Sequence, residues 1–287
     1  MKAKTIVILG ASSGIGAALT QALSGDGHRL FVCARRRDRL QALTEDGKIA
    51  TYRVVDVANE AEVAAFAKDV QDAAANVDAI ICCAGAYGPI GRFQDIDSAA
   101  WLATLQTNLF GTFLAAKYFV PLMKPHAGAR ILTLSGGGAF NALPRYSAYA
   151  TSKAGIVRLT ETIAEELRPL GIAANGIAPG FVATEIHNAT LAAGAEAAGE
   201  AFYAMTRGKM AEGSVPMEVP VNCVRFLLSE RADGLTGKTL SASFDPWQSD
   251  AFQADISVLN ASELYTMRRV NPVNLPDDPL ARKLAKP

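Results

Sequence analysis

Tyr149 and Lys153 stand four positions apart, and the apolar residues Ile156, Leu159, Ile163 and Leu167 follow them at helical spacing. That spacing puts the phenol and the ammonium on one helix face. The stripe that continues it predicts a face turned into the protein. A phenol titrates near ~10. An ammonium beside it favours the phenolate and draws that value toward neutrality, which suits a general acid/base. Spacing alone does not make such a pair reactive, since a Tyr and a Lys on one face are as a rule structural.

A second chemical feature opens the chain. The apolar run Thr5–Gly10 leads into Gly10-Ala11-Ser12-Ser13-Gly14-Ile15-Gly16, and a helical pattern over Gly16–Leu23 follows. Small residues between a strand and a helix let the backbone turn sharply and approach a pyrophosphate. The helix start supplies free N–H donors and the positive end of a dipole. The next apolar run ends in Cys33-Ala34-Arg35-Arg36-Arg37. An NAD site typically carries a carboxylate there for the ribose 2′-hydroxyl. Arginines suit a 2′-phosphate instead, which predicts NADP(H). The alternative is a solvated basic loop.

These features need elements to position them. Near-continuous apolar runs at Thr5–Gly10, Leu30–Ala34, Thr51–Val55, Ala79–Cys83, Ile131–Leu134, Ile172–Ile177 and Thr239–Ser243 read as strands buried on both faces. Helical patterns at Gly16–Leu23, Ala61–Ala75, Trp101–Met123, Ser152–Leu167 and Glu218–Leu228 alternate with them. The expectation is an α/β fold: a doubly wound parallel sheet of about seven strands with helices on both faces, the Rossmann fold. Residues 186–216 read as irregular, and nothing periodic is visible after Trp247. This predicts one catalytic domain over 1–246 and an extension over 247–287, packed on the domain or on a neighbouring subunit.

Lys plus Arg and Asp plus Glu both total 28, so the formal charge is zero, and half the residues are hydrophobic. That balance argues against nucleic acid or an anionic membrane as partner. No run approaches the ~18 apolar residues of a membrane span. The N-terminal apolar run is too short for a signal-peptide core, so a cytoplasmic protein is expected. Cys33, Cys82, Cys83 and Cys223 form no Cys-x-x-Cys pair, and His28, His126 and His187 are scattered. Reduced thiols and no metal site follow.

With Cys82-Cys83-Ala84-Gly85, Asn108 and Pro179-Gly180-Phe181-Val182-Ala183-Thr184 in the same order, the glycine turn and Tyr149-x-x-x-Lys153 resemble the short-chain dehydrogenase/reductase family. The likeness is to its single-domain branch, which includes 3-oxoacyl-acyl-carrier-protein reductases, and it covers roughly residues 4–245. The resemblance implies that Tyr149 is the general acid/base and that Lys153 holds the nicotinamide ribose. It implies that Asn108 anchors a water relaying protons to Lys153. Gly10, Ser12, Ser13, Gly14, Ile15, Gly16, Arg35 and Arg36 would bind the phosphates. Asp56 and Val57 would contact adenine, Ala84 and Gly85 would line the ribose path, and Pro179, Gly180, Val182 and Thr184 would cover the nicotinamide. The substrate would be a small carbonyl or alcohol, and the long helices would pair chains into homodimers or homotetramers.

The pattern breaks at one place. The family carries a serine thirteen residues before the tyrosine, and this chain has Gly136 there, beside Ser135. Adjacent strand residues point to opposite faces. Ser135 can stand in only if the glycines rotate the backbone. The lost donor leaves two readings, an active reductase or a dinucleotide-binding sensor or scaffold with little turnover; a sugar-nucleotide epimerase of the longer branch fits the Pro179-Gly180 segment less well. The tail, with five acidic and five basic residues, either braces the domain or brings Arg268 or Arg269 to a substrate cleft.

Overall fold

The computed structural model describes residues 2–45, 51–74 and 76–269. The far tail, with Asp277, Asp278, Arg282, Lys283 and Lys286, lies outside them. Seven parallel strands among the described residues form one sheet in the order β3-β2-β1-β4-β5-β6-β7. They are β1 Thr5–Leu9, β2 Arg29–Ala34, β3 Thr51–Val54, β4 Ala79–Cys82, β5 Arg130–Leu134, β6 Ala173–Ala178 and β7 Thr239–Ser241. Strand order reverses between β1 and β4, which is where such sheets open a crevice at their carboxyl ends. The expected α/β sheet is therefore the one observed.

The helices follow from side-chain alternation along the strands. Ile6 and Ile8 of β1 point to one face, where they pack with Leu19, Leu23, Val224 and Leu227. Val7 and Leu9 point to the other, against Phe31, Phe66, Leu114 and Phe119. The first face is covered by α1 (Gly14–Gly25), and later by α9 (Glu218–Leu228). The second is covered by α3 (Glu60–Ala73), α5 (Gly111–Phe119) and α6 (Ser147–Leu167), while α2 (Arg37–Glu45) and α4 (Ser98–Leu105) complete the crossovers. Each fully buried large side chain contributes about 1.5–3 kcal/mol through removal of apolar area from water.

Three expectations need correction. The single helix expected over Trp101–Met123 is broken by a π turn, Gln106–Phe110, between α4 and α5. The stretch expected to be irregular folds as α7 (Asn188–Ala198) and α8 (Glu200–Glu212). Its many alanines favour helix without marking a face, and Gly194 and Gly199, at φ 76° and 83°, divide it. The tail carries α10 (Asp250–Ala254) and α11 (Ile256–Ala261). Trp247, Phe252 and Ile256 join the α1/α9 core cluster. Beyond them the Tyr265 carbonyl accepts from Thr239 N at 2.8 Å and so covers the outer edge of β7. Arg158 of α6 donates to the Met267 carbonyl, and Glu161 accepts from Met267 N.

Candidate active site

The carboxyl ends of the strands enclose a cleft of ≈ 730 Å³, within the range of ligand sites. Its wall includes Gly10, Ser12, Ser13, Gly14, Ile15, Gly16, Arg35, Arg36, Asp56, Val57, Ala84, Gly85, Ser135, Tyr149, Lys153, Pro179, Gly180, Val182 and Thr184. Of the residues expected to do the chemistry or to hold the cofactor, Asn108 alone stays outside the wall.

The glycine turn is shaped by contacts that admit no side chain. Gly10 lies at φ 89°, and a Cβ there would overlap the Ala84 backbone. Ser13 is the N-cap residue of α1, yet its hydroxyl makes no capping bond. It accepts from Arg36 instead, and Arg36 Nε also donates to Ser12 at 3.2 Å. The first-turn amides of α1 are therefore left facing the cleft with no cap. This suits a bound pyrophosphate, and the guanidinium at the β2 tip suits a phosphate beside it.

Asn108 is fully buried in the π turn. Its side-chain oxygen accepts from Ala86 N at 2.9 Å, and its amide donates to Ala86 O and Ser152 Oγ, each at 2.9 Å. The side chain is thus engaged in pinning the Ala84–Tyr87 loop to α6. Its own carbonyl accepts from Thr112 Oγ1 at 2.7 Å. The role this geometry supports for Asn108 is positioning the loop, and not contact with a cofactor.

Lys153 is buried and donates to the Leu134 carbonyl at 2.7 Å. Its ammonium lies 5.6 Å from the centre of the Tyr149 ring. Burial pulls the Lys153 value down to about 8. Burial pushes the Tyr149 phenol up to about 12. The expected shift of the phenol toward neutrality is therefore corrected: desolvation outweighs an ammonium whose hydrogen bond goes elsewhere. The buried face of α6 is also rotated from the one expected. Lys153, Ile156, Val157, Thr160 and Ala164 are buried, while Leu159, Ile163 and Leu167 are half-buried.

The lowered lysine value has a consequence for stability. Its folded value lies below its ordinary value of 10.5, so between about pH 8 and 10.5 the unfolded chain binds more protons. Stability then rises with pH through that window, and the full penalty stands below it. Lys153→Met removes the term. The stability of the wild type relative to Lys153→Met should rise by up to ~1.4 kcal/mol per pH unit above pH 8 in urea unfolding. A difference that stays flat from pH 7 to 10 would contradict the buried ammonium.

Gly136 is extended, at φ −174° and ψ 167°. A Cβ there would overlap the Tyr149 hydroxyl and come 3.2 Å from Cζ. The tyrosine hydroxyl thus occupies the space a side chain at 136 would take. Strand pairing continues through Ser135, whose amide donates to Ile177 O at 2.8 Å. The backbone stays extended at Gly136, so side chains at 135 and 136 face opposite ways, although Ser135 still forms part of the cleft wall. Its buried Oγ has no partner among the described residues. Ser135 is thus turned from the place where the family carries its serine.

Two residues that sequence reasoning passed over stand beside Tyr149. The Tyr87 ring meets it edge to face at 4.7 Å. Tyr87 Oη lies 3.0 Å from His187 Nδ1, and His187 Nε2 lies 3.0 Å from the Val182 carbonyl. His187 stacks on Phe181 at 3.8 Å, and burial lowers its value. The neutral Nε2–H form satisfies both bonds, with Tyr87 donating. Their signal was position, for Tyr87 lies two residues past Gly85 and His187 three past Thr184. Arg268 lies elsewhere, paired with Glu263 and Glu161; neither it nor Arg269 lines this cleft.

Among the described residues no cluster of three His, Cys, Asp or Glu could hold a metal, and no helix is long and apolar enough to cross a membrane. The family model described as short chain dehydrogenase matches residues 4–194. Short-chain dehydrogenase/reductase eriH of Hericium erinaceus is 33% identical over 263 residues, covering 84% of this chain and 96% of that protein. The uncharacterized oxidoreductase YxbG of Bacillus subtilis is 30% identical over 245 residues, 83% of this chain and 89% of that one. A variant of actinorhodin polyketide ketoreductase solved with NADPH is similar at a TM-score of 0.72 and 27% identity, covering 83% of this chain and 95% of that one.

Proposed function

The chain belongs to the short-chain dehydrogenase family, and on that premise we propose that it is an NADP(H)-dependent oxidoreductase interconverting a carbonyl and a secondary alcohol. The observation that carries this reading is the shared cleft: the glycine turn and Arg36 stand at one end, Tyr149 and Lys153 at the other. Bound NADP(H) supplies or accepts a hydride. The uncapped amides of α1 and the Arg36 guanidinium would hold its phosphates, and Pro179 to Thr184 would cover its nicotinamide end. A solved relative of this chain carries NADPH.

In reduction, Tyr149 Oη donates its proton to the oxygen of the carbonyl; in oxidation it takes the alcohol proton. A phenol held neutral by burial is a proton donor at pH 7, which suits the reductive direction. Lys153, fixed by the Leu134 carbonyl, places a positive charge behind the ring that offsets charge developing on Oη. The sensor reading drew its support from Gly136. The glycine has a reason of its own here, since it gives the Tyr149 hydroxyl room.

The wall around Tyr149 also limits the substrate. Tyr87, Tyr146 and Ala198 form a cluster there with Leu143, Ile186 and Phe202. Apart from Lys153, the charged residues of the cleft wall are Arg35, Arg36, Asp56 and Glu185, around the glycine turn and the β2 tip. An uncharged cyclic or aryl ketone fits such a wall, whereas a carboxylate would be buried unpaired. NADPH oxidation should therefore favour apolar ketones over α-keto acids of similar size by at least ~100-fold in kcat/KM. Equal turnover of both classes would refute this wall as the substrate site, and no turnover of any ketone would refute the reductase.

A further inference from the structure

Arg36 and Arg39 share a partner across the mouth of the cleft. Glu185 Oε2 lies 2.9 Å from Arg36 Nη1, and Glu185 Oε1 lies 2.7 Å from Arg39 Nη1. Arg36 already gives Nε and Nη2 to Ser12 and Nη2 to Ser13. Its fork is thus filled by two neutral hydroxyls on one side and by a carboxylate on the other. The two arginines hold the Glu185 carboxyl below its ordinary range, so it is an anion throughout the neutral region.

Glu185 does not belong to the β2 tip. It sits in the connection after β6, far along the chain, in a short strap that touches both ends of the cleft. Thr184 is placed against Gly14, which has 3.3 Å to the threonine methyl from a Cβ position. Two residues after Glu185, His187 bonds Tyr87, whose ring lies on Tyr149. The strap then runs into α7 and α8.

We infer that Glu185 is a stand-in for the cofactor's 2′-phosphate: Arg36 and Arg39 exchange its carboxylate for the phosphate, so that reading the phosphate and releasing the strap are one event. This rests on the NADP(H) reading above. A 2′-phosphate carries close to two negative charges at pH 7 and competes directly with a carboxylate for the same guanidinium donors. A ribose 2′-hydroxyl competes for none of that charge. Glu185 therefore opposes NADP(H) selectively, sets its affinity below what the arginines alone would give, and couples its arrival to residues 184–187. Ser12 and Ser13 remain as neutral partners in both states.

The test uses fluorescence titration of the full chain with NADPH and NADH, together with the fragments 2′,5′-ADP and 5′-AMP. Glu185→Gln keeps the shape and removes the charge at an exposed position. It should tighten NADPH and 2′,5′-ADP by about fivefold, the scale of a partly exposed ion pair, and leave NADH and 5′-AMP within about twofold. Hydrogen exchange supplies the second readout. Saturating 2′,5′-ADP should speed exchange across 184–187 in the wild type, 5′-AMP should not, and Glu185→Gln should exchange fast without either. An unchanged NADPH-to-NADH ratio in Glu185→Gln, or equal tightening of both, overturns the exchange while leaving NADP(H) preference intact. A wild type that binds NADH as well as NADPH, and 5′-AMP as well as 2′,5′-ADP, overturns the NADP(H) reading and the exchange together.

Discussion

Tyr149→Phe lowers kcat for carbonyl reduction by about 10³-fold and leaves the dissociation constant of NADPH within about twofold. The substitution removes one atom. The ring keeps its edge-to-face contact with Tyr87 at 4.7 Å, so the wall of the cleft is preserved. What is lost is the proton donor proposed for the reacting oxygen. Lys153 is not placed to take over, because its ammonium lies 5.6 Å from the centre of the Tyr149 ring, tethered to the Leu134 carbonyl. Tyr87 cannot either, because its hydroxyl proton is committed to His187 at 3.0 Å. Steady-state kinetics and a fluorescence titration on the same preparation separate the two quantities. A loss in kcat below about tenfold, or a loss shared equally by NADPH binding, would remove Tyr149 from the proposed role.

Restoring a serine at position 136 lowers activity instead of raising it. In the family pattern that serine is a hydrogen-bond donor, and losing such a donor commonly costs ~10²–10³ in rate. On chemistry alone, Gly136→Ser would recover that factor. The geometry argues the reverse, because a Cβ at 136 overlaps the Tyr149 hydroxyl. The ring must swing away, and a displacement near 1 Å at a reacting group can cost about 10²-fold. Gly136→Ser and Gly136→Ala should therefore fall together, each by ~10²-fold in kcat, since the harm is steric and arises from the Cβ they share. A Gly136→Ser protein faster than the wild type would show that the tyrosine moves aside without loss and that the site had been missing its serine.

Much of the frame was legible because it depends on local pattern. Strands buried on both faces leave uninterrupted apolar runs, and the seven runs correspond to the seven described strands with ends within a residue or two. β5 begins one residue before the apolar run because Arg130, although charged, is buried and paired with Asp233. Helices α7 and α8 were not legible because Ala-rich sequence forms helix without an apolar stripe to betray it. The π turn at Asn108 was illegible because its cause is distant: the side chain captures both backbone groups of Ala86, 22 residues earlier.

The site divides along the same line. The glycine turn, the arginine tip and the Tyr–Lys pair are runs of sequence and could be read as such. Tyr87 and His187, 100 residues apart, become a pair only when the strap folds over the cleft. Glu185 meets Arg36 across 149 positions. The direction of the Tyr149 shift was not legible, because helix spacing says that an ammonium is near and says nothing of the carbonyl that occupies it or of the burial around the ring.

In the proposed reaction, hydride passes from NADPH to a carbonyl carbon while Tyr149 supplies the proton. Its most direct measurement follows deuterium from stereospecifically labelled [4-²H]NADPH into the product of an apolar ketone by mass spectrometry. One deuterium is expected on the carbinol carbon with the wild type, and label transfer slowed about 10³-fold in Tyr149→Phe. Tight NADPH binding with no deuterium transferred to any apolar ketone, or equal transfer by both proteins, would contradict it.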